Sequence, residues 1–310
     1  CGFPQLTRDP RGTATVSQNH NKKIYSVKEV LSRLRTTITT AVGRKWARGL
    51  APGAGSRGRG GPLPGGKMNI IADLHTHTIA STHAYNTILE MVRYAAQVGL
   101  KAIALTDHGR RMPGAPGDWF FQNLVSVPRR LEGILVLRGI ELNIIDYDGN
   151  TDLEENARNL DWAVASIHNG LLDPSVKPTV ERCTELWLKV AQNPMVRVIG
   201  HSGTPQFEYD YETVIPEFGR QGKLVEINEH SFLVRKASIP NCKKIAETCK
   251  KYGVPIVIDS DAHFCTEMGV YSNAERMLRE IDFPEELIVN ADENRLYEYL
   301  RKYTRVLDEE

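Results

Sequence analysis

Residues 69–109 read NIIADLHTHTIASTHAYNTILEMVRYAAQVGLKAIALTDHG. Asn69–Leu74 and Lys101–Thr106 are short apolar runs of strand length. Between them Thr87–Val98 carries a helical pattern. Two strands joined through a helix must lie parallel, because the crossover is too long for a hairpin. The same rhythm continues outward. Strands are predicted at Ile134–Gly139, Ala163–Ile167, Val196–Gly200, Lys223–Ile227 and Pro255–Asp259, with helical patterns at Leu153–Leu160, Val180–Gln192 and Cys242–Tyr252. Seven β/α units, or eight if Leu287–Asn290 is a short strand, predict an α/β barrel or near-barrel, with an open doubly wound sheet as the alternative.

Upstream of Met68 the composition changes. Residues 1–67 hold 13 Lys or Arg against Asp9 and Glu29, a balance of +11; the totals of 39 and 38 leave 26 basic and 36 acidic residues for 68–310, a balance of −10. A short amphipathic stretch, Val27–Val42, has helical spacing, and the Gly/Pro/Arg-rich run after it cannot bury enough apolar surface to offset chain entropy. A disordered basic head, 1–67, is therefore expected before a domain at 68–310. The head fits a targeting segment, a nucleic-acid-binding tail or sequence upstream of a start at Met68, the last being preferred. The acidic body suits metal cations and makes a poor surface for a long nucleic acid. No apolar run reaches the length of a membrane span. The five cysteines, Cys1, Cys183, Cys242, Cys249 and Cys265, are odd in number and form no CxxC pair, so reduced thiols in a cytoplasmic setting are expected.

The chemistry gathers at strand ends. His75 and His77 alternate in an extended strand and so point the same way. His83 follows in the loop, and later strands end at His108, Glu141, His168, His201 and the pair Asp261 and His263. In a parallel β/α fold every strand C-terminus opens on one rim. Imidazole and carboxylate suit Zn²⁺, Mn²⁺ or Fe²⁺, and nine candidates suit two or three ions with a carboxylate bridging. Taken alone, His168 or His201 is most simply a hydrogen-bonded structural residue; the set is what carries the metal reading. Asp73 and Asp259 are expected to accept imidazole N–H groups, and Asp107 to face the other way. His20 belongs to the head, and His230 is expected in a loop. No GxGxxG fingerprint, P-loop or GxSxG elbow appears.

Taken together, DLHTH (73–77), LTDHG (105–109), GIELN (139–143), GHSG (200–203), EIN (226–228) and SDAH (260–263) resemble the PHP (polymerase and histidinol phosphatase) superfamily. More closely, the chain is similar to the YcdX-like stand-alone bacterial phosphatases, from Met68 to about Tyr303. The resemblance implies a distorted (β/α)7 TIM-like barrel with a trinuclear site, usually zinc, sometimes manganese or iron. It implies the ligands His75, His77, His83, His108, Glu141, His168, His201, Asp261 and His263, with Glu141 bridging two ions and His75, His77 and Asp261 near one of them. Arg110 and Arg111 after LTDHG depart from the pattern.

The expected activity is hydrolysis of a small phosphomonoester by a metal-activated water, with catalytic roles for Asp261, His263 and Glu141. Arg110, Arg111, Asn228 and Arg235 are candidate phosphate contacts. No membrane or nucleic-acid partner is expected for the body; a homo-oligomer is compatible with it. The rivals are a 3′–5′ exonuclease or other phosphodiesterase, an amidohydrolase, and a metal-binding module without catalysis. The amidohydrolase ranks low because the fourth strand ends in Ser166-Ile167-His168 and lacks the lysine that class carbamylates.

Overall fold

The computed structural model describes residues 6–8, 14–16, 68–153 and 159–308. The chain divides into two compact units, Cys1–Gly65 and Gly66–Glu310. In the first, β1 (Leu6–Arg8) and β2 (Ala14–Val16) pair antiparallel. The predicted helix over Val27–Val42, the Gly/Pro/Arg-rich run, His20 and most of the predicted helix Leu153–Leu160 lie outside the described residues.

The second unit is an α/β TIM-like barrel. Its strands are β3 (Ala72–Thr76), β4 (Ala102–Leu105), β5 (Arg130–Leu131), β6 (Ile134–Asn143), β7 (Trp162–Ser166), β8 (Val198–Ile199), β9 (Leu224–Asn228) and β10 (Ile256–Asp259). The path runs β10-β9-β8-β7-β6-β4-β3, with every neighbouring pair parallel; β5 lies antiparallel on β6. Parallel pairing follows from the crossover helices: α1 (Ile88–Gln97), α2 (Asp118–Asn123), α3 (Val180–Ala191), α4 (Tyr211–Arg220), α5 (Glu229–Val234) and α6 (Ile239–Tyr252). A capping box opens α1, with Thr87 and Glu90 bonding each other's backbone N–H. Two helices, α7 (Ser272–Glu280) and α8 (Glu293–Tyr303), follow β10.

Strand alternation sorts the core into layers. Ala72, Leu74, Leu135, Leu137, Trp162, Val164, Val198, Leu224 and Val257 form one cluster, and Leu296 and Leu300 of α8 join it. The opposite faces of β7 and β8, through Ala163, Ala165 and Ile199, pack with Leu186, Trp187, Ile215, Phe218 and Ile245 of the helices. Both faces of each parallel strand are thus covered, which is why these strands read as near-continuous apolar runs. No helix among the described residues is long and apolar enough to cross a membrane. The described cysteines, Cys183, Cys242, Cys249 and Cys265, are free thiols.

The ring closes between β3 and β10 largely through side chains. The eighth strand considered at Leu287–Asn290 is absent. Short 3-10 turns, Glu285–Leu287 and Val289–Ala291, replace it, and only Ile288 bridges Ile256. Asn290 is fully buried and does the work a strand would have done. Its Nδ2 donates to Ala72 O at 2.9 Å and Ile258 O at 2.7 Å, and its Oδ1 accepts from Ile258 N at 3.1 Å. Asp259 Oδ1 accepts from Leu74 N at 2.8 Å, and His77 N donates to Ala262 O at 2.9 Å.

Replacing Asn290 by Ala strands Ala72 O, Ile258 N and Ile258 O in a dry interior. At about 1–3 kcal/mol per buried unsatisfied group, unfolding in urea should show a loss of at least about 3 kcal/mol for the three together; a loss below about 0.5 kcal/mol would dismiss the seam as a structural necessity.

Candidate metal centre

The alternation that fills the barrel also builds its upper rim. Along β6, Leu135 and Leu137 lead inward to Gly139 and Glu141. The sequence reading ended this strand at Gly139, but it continues to Asn143, so Glu141 stands within a strand and not beyond one. On β3 the register shifts between Asp73 and Thr76. This irregularity breaks the simple alternation. Leu74 packs in the inner cluster, yet His75 and His77 still turn to Glu141. Gly200 is obligatory before His201: a Cβ there would run into Ser166 Oγ and Val164 Cγ1. His201 and Asp261 have φ of 24° and 55°, a region that residues with a side chain seldom adopt and that concentrates at functional sites.

Glu141, fully buried, is the hub. Its Oε1 lies 3.4 Å from His75 Nε2, 3.3 Å from His168 Nε2 and 3.0 Å from His201 Nε2; its Oε2 lies 3.6 Å from His77 Nε2 and 2.6 Å from His108 Nδ1. Asp261 Oδ1 stands 3.2 Å from His77 Nε2 and 3.6 Å from His75 Nε2. His83 sits at the exposed lip, its Nε2 3.2 Å from His108 Nε2, with the His263 ring 4.5 Å from its own. All nine candidate ligands are thereby gathered in one bowl. Three overlapping groups bring donor atoms within 4.8 Å of one another: His77, His108 and His263; His75, His77 and Glu141; His108, Glu141 and His168.

The donor set fits divalent cations. His75 Nε2, His77 Nε2, His108 Nδ1, His168 Nε2, His201 Nδ1, His263 Nε2 and Glu141 Oε2 are buried without a hydrogen-bond partner. Leaving so many polar atoms unpaired in a dry interior is costly unless a cation draws on their lone pairs. Burial, with His108 beside it, holds His77 well below the ordinary imidazole value; burial, with His263 and His108 beside it, pushes His83 down to about 4. Such imidazoles are neutral and can ligate. Against the cost of burial, Glu226, Glu141 and Asp261 hold His75 well above its usual value. The field that would keep a proton there also attracts a cation. Burial works against Glu141 and Asp261 too, yet the surrounding imidazoles hold both carboxyls well below the usual range.

A ring of polar groups orients these side chains. Glu226 Oε1 meets His75 Nδ1 at 2.6 Å, while its Oε2 accepts from His201 N at 2.7 Å. Asn143 Oδ1 meets His168 Nδ1 at 2.7 Å, and Ser81 Oγ meets His77 Nδ1 at 3.2 Å. Asp107 reaches the bowl through Ser81, accepting its hydroxyl at 2.7 Å and its N–H at 3.2 Å. The orienting role expected of Asp73 and Asp259 is not seen. Asp73 accepts from Ser260 N and Tyr271 Oη, and Asp259 from Leu74 N and Asn290, so both serve the seam. Burial raises Asp73 to about 6, and burial with Asp73 alongside raises Asp259 well above its usual value. The orienting acid is Glu226. Strand alternation placed it on one face with Asn228, the signal that could have found it.

The predicted phosphate contacts separate. Arg235 reaches the bowl, its guanidinium 3.4 Å from Asp261 Oδ2. Asn228 is buried and donates to Glu226 Oε2 at 3.2 Å and Asp261 Oδ2 at 3.1 Å. Arg110 and Arg111 are exposed, Arg110 pairing with Asp118 at 3.5 Å. His230 was expected in a loop. It lies instead in α5, half-buried, with its ring stacked 5.5 Å from that of His263.

Residues 73–230 match the PHP domain family. A probable phosphatase of Clostridium novyi (strain NT) is 42% identical over 244 residues, covering 78% of this chain and 98% of the relative. One from Acetivibrio thermocellus is 44% identical over 236 residues, covering 76% and 97%. Among solved structures, the histidinol phosphate phosphatase of Lactococcus lactis, complexed with zinc, L-histidinol and phosphate, superposes with a TM-score of 0.49 at 17% identity, covering 68% of this chain and 92% of that one.

Glu226→Gln keeps the shape of the side chain but removes the charge behind His75. Outer groups of this kind are worth about 10–100-fold in metal affinity, and chelator competition monitored by elemental analysis should show a loss of that size. Unchanged affinity would contradict an orienting role for Glu226.

Proposed function

Because this chain belongs to the PHP domain family, we propose that it hydrolyses small phosphomonoesters at a centre of several divalent cations held by His75, His77, His83, His108, Glu141, His168, His201, Asp261 and His263. It is a PHP-family phosphatase and metal-dependent; the substrate class, the number of ions and their residue assignments are the content of the proposal. The observation that carries it is the set of inward-facing, unpartnered nitrogens around the Glu141 carboxylate. Zinc fits this imidazole-rich set, and manganese or iron is compatible with it.

Bound divalent ions supply Lewis acidity toward phosphoryl oxygens and make water a usable nucleophile near neutral pH. The protein's own part is positioning. Glu226, Asn143 and Ser81 fix which nitrogen of His75, His168 and His77 faces the bowl. Glu141, placed among five imidazoles, is suited to bridge cations. Arg235, partly exposed beside Asp261, is the side chain best placed to grip a phosphoryl oxygen at the mouth. Asp261, its carboxyl held below the usual range, is suited to accept a proton from the attacking water, and an imidazole next to it, His263 or His230, to pass one to the leaving oxygen. Arg110 and Arg111 remain outer candidates for the organic part of a substrate. The net −10 balance of residues 68–310 favours a small substrate over a long polyanion.

The test compares p-nitrophenyl phosphate with bis(p-nitrophenyl) phosphate after loading with Zn²⁺ or Mn²⁺. Monoester turnover is expected to exceed diester turnover. Glu141→Gln should cut it by at least about a hundredfold, since metal polarisation supplies several kcal/mol of transition-state stabilisation. Diester turnover alone would make the protein a phosphodiesterase; no turnover of either ester by metal-loaded protein would overturn the hydrolytic reading.

A further inference from the structure

A cavity of about 620 Å³ lies away from the metal bowl, lined by residues just before β7 and β8, by Arg138 of β6, by Val125, and by the end of α8 and the turn beyond it. Asp161 stands just before β7 and Arg197 just before β8; Lys302, Tyr303 and Arg305 come from the end of α8 and the turn beyond it. Arg197 and His201 occupy opposite ends of one extended segment, roughly 13 Å apart at strand rise. The cavity is therefore separate from the bowl.

Its charge is out of keeping with its surroundings. Residues 68–310 carry a balance of −10, yet among the described residues Arg138, Arg197, Lys302 and Arg305 line this cavity against one acid, Asp161, with the Arg138 guanidinium already donating to Val127 O. That acid is committed elsewhere: it forms an ion pair with Arg129 and accepts from Arg138 N at 2.9 Å. Arg197 Nε is buried without a hydrogen-bond partner, and among the described residues no carboxylate lies within ion-pair distance of its guanidinium. Burial pulls the Arg197 pKa below its ordinary value. Lys223 Nζ, which donates to Asn193 O at 2.6 Å and Val196 O at 2.9 Å, adds to the positive charge close by. A half-buried guanidinium lacking a counter-charge costs stability unless an anion meets it. Tyr303 supplies a ring and a hydroxyl beside Lys302, whose Nζ lies 4.9 Å from the ring centre.

We propose that this cavity is a binding site, distinct from the metal bowl, for a small organic molecule carrying two or more negative charges, with Arg197 as its central contact and Lys302 and Arg305 at its mouth. The volume admits a ligand of metabolite size, larger than a lone inorganic ion. Guanidinium and ammonium groups bind phosphate and carboxylate alike, so the shared chemistry is a compact polyanion. The site stands independently of the phosphatase reading.

Isothermal titration of the metal-loaded full chain tests it, using methylenediphosphonate, which resists hydrolysis, and propane-1,2,3-tricarboxylate as probes. A class of sites additional to any at the metal bowl is expected. Arg197→Gln should weaken that class by at least about tenfold, the scale of a charge-assisted contact, while aryl phosphate hydrolysis stays within about twofold. Should Arg197→Gln fail to fold, Lys302→Gln at an exposed position is expected to weaken the same class about threefold. Binding of only the diphosphonate or only the tricarboxylate upholds the site and assigns its chemistry. Binding of neither probe to this class, or a class indifferent to both substitutions, overturns it.

Discussion

One buried carboxylate, Glu141, governs the rest of the structure. A charge in a dry interior is costly, and here it sits at 0% exposure among the nitrogens of five imidazoles. The fold keeps it there through a strand that extends beyond its expected end, a register shift that turns His75 and His77 toward it, and two residues, His201 and Asp261, held at positive φ. Such strain persists only where the surroundings over-determine it. They do so through the ring of Glu226, Asn143, Asn228 and Ser81, each of which touches a candidate ligand or its backbone.

Much of this was legible in the sequence. The β/α rhythm from Asn69 onward yields parallel strands, and the rule that such strands open on one rim brings together residues as distant as His75 and His263. Other features were hidden for physical reasons. Hydrophobic pattern cannot reveal a register shift, and Asp73 was therefore grouped with the imidazoles when it bonds Ser260 and Tyr271. Leu287–Asn290 has the look of a strand because its residues are buried, but its contribution is one amide side chain and not a ladder. Glu226 was visible as part of a motif, yet its role depends on the partner across the barrel, and pairing between distant strands is not written in either strand alone.

Family membership and site geometry reinforce each other without overlapping. The match over residues 73–230 ends before Asp261 and His263, which follow the last strand. The relatives from Clostridium novyi and Acetivibrio thermocellus are matched over nearly their whole length. Geometry then adds what similarity does not: which nitrogens face inward, which acids orient them, and how sharply the acidic body contrasts with the basic cavity away from the bowl.

The Asn290 seam has a consequence for the order in which the molecule assembles. Asn290 and Ala72 are 218 positions apart, so the ring cannot close until almost the whole chain is available. The entropic cost of so long a loop is met late, after the local β/α units have formed. His77 and Ala262 bond across the same gap, with Asp261 and His263 on either side of Ala262. A growing chain therefore carries most of its imidazoles well before the final carboxylate, and the bowl becomes whole only when the barrel does.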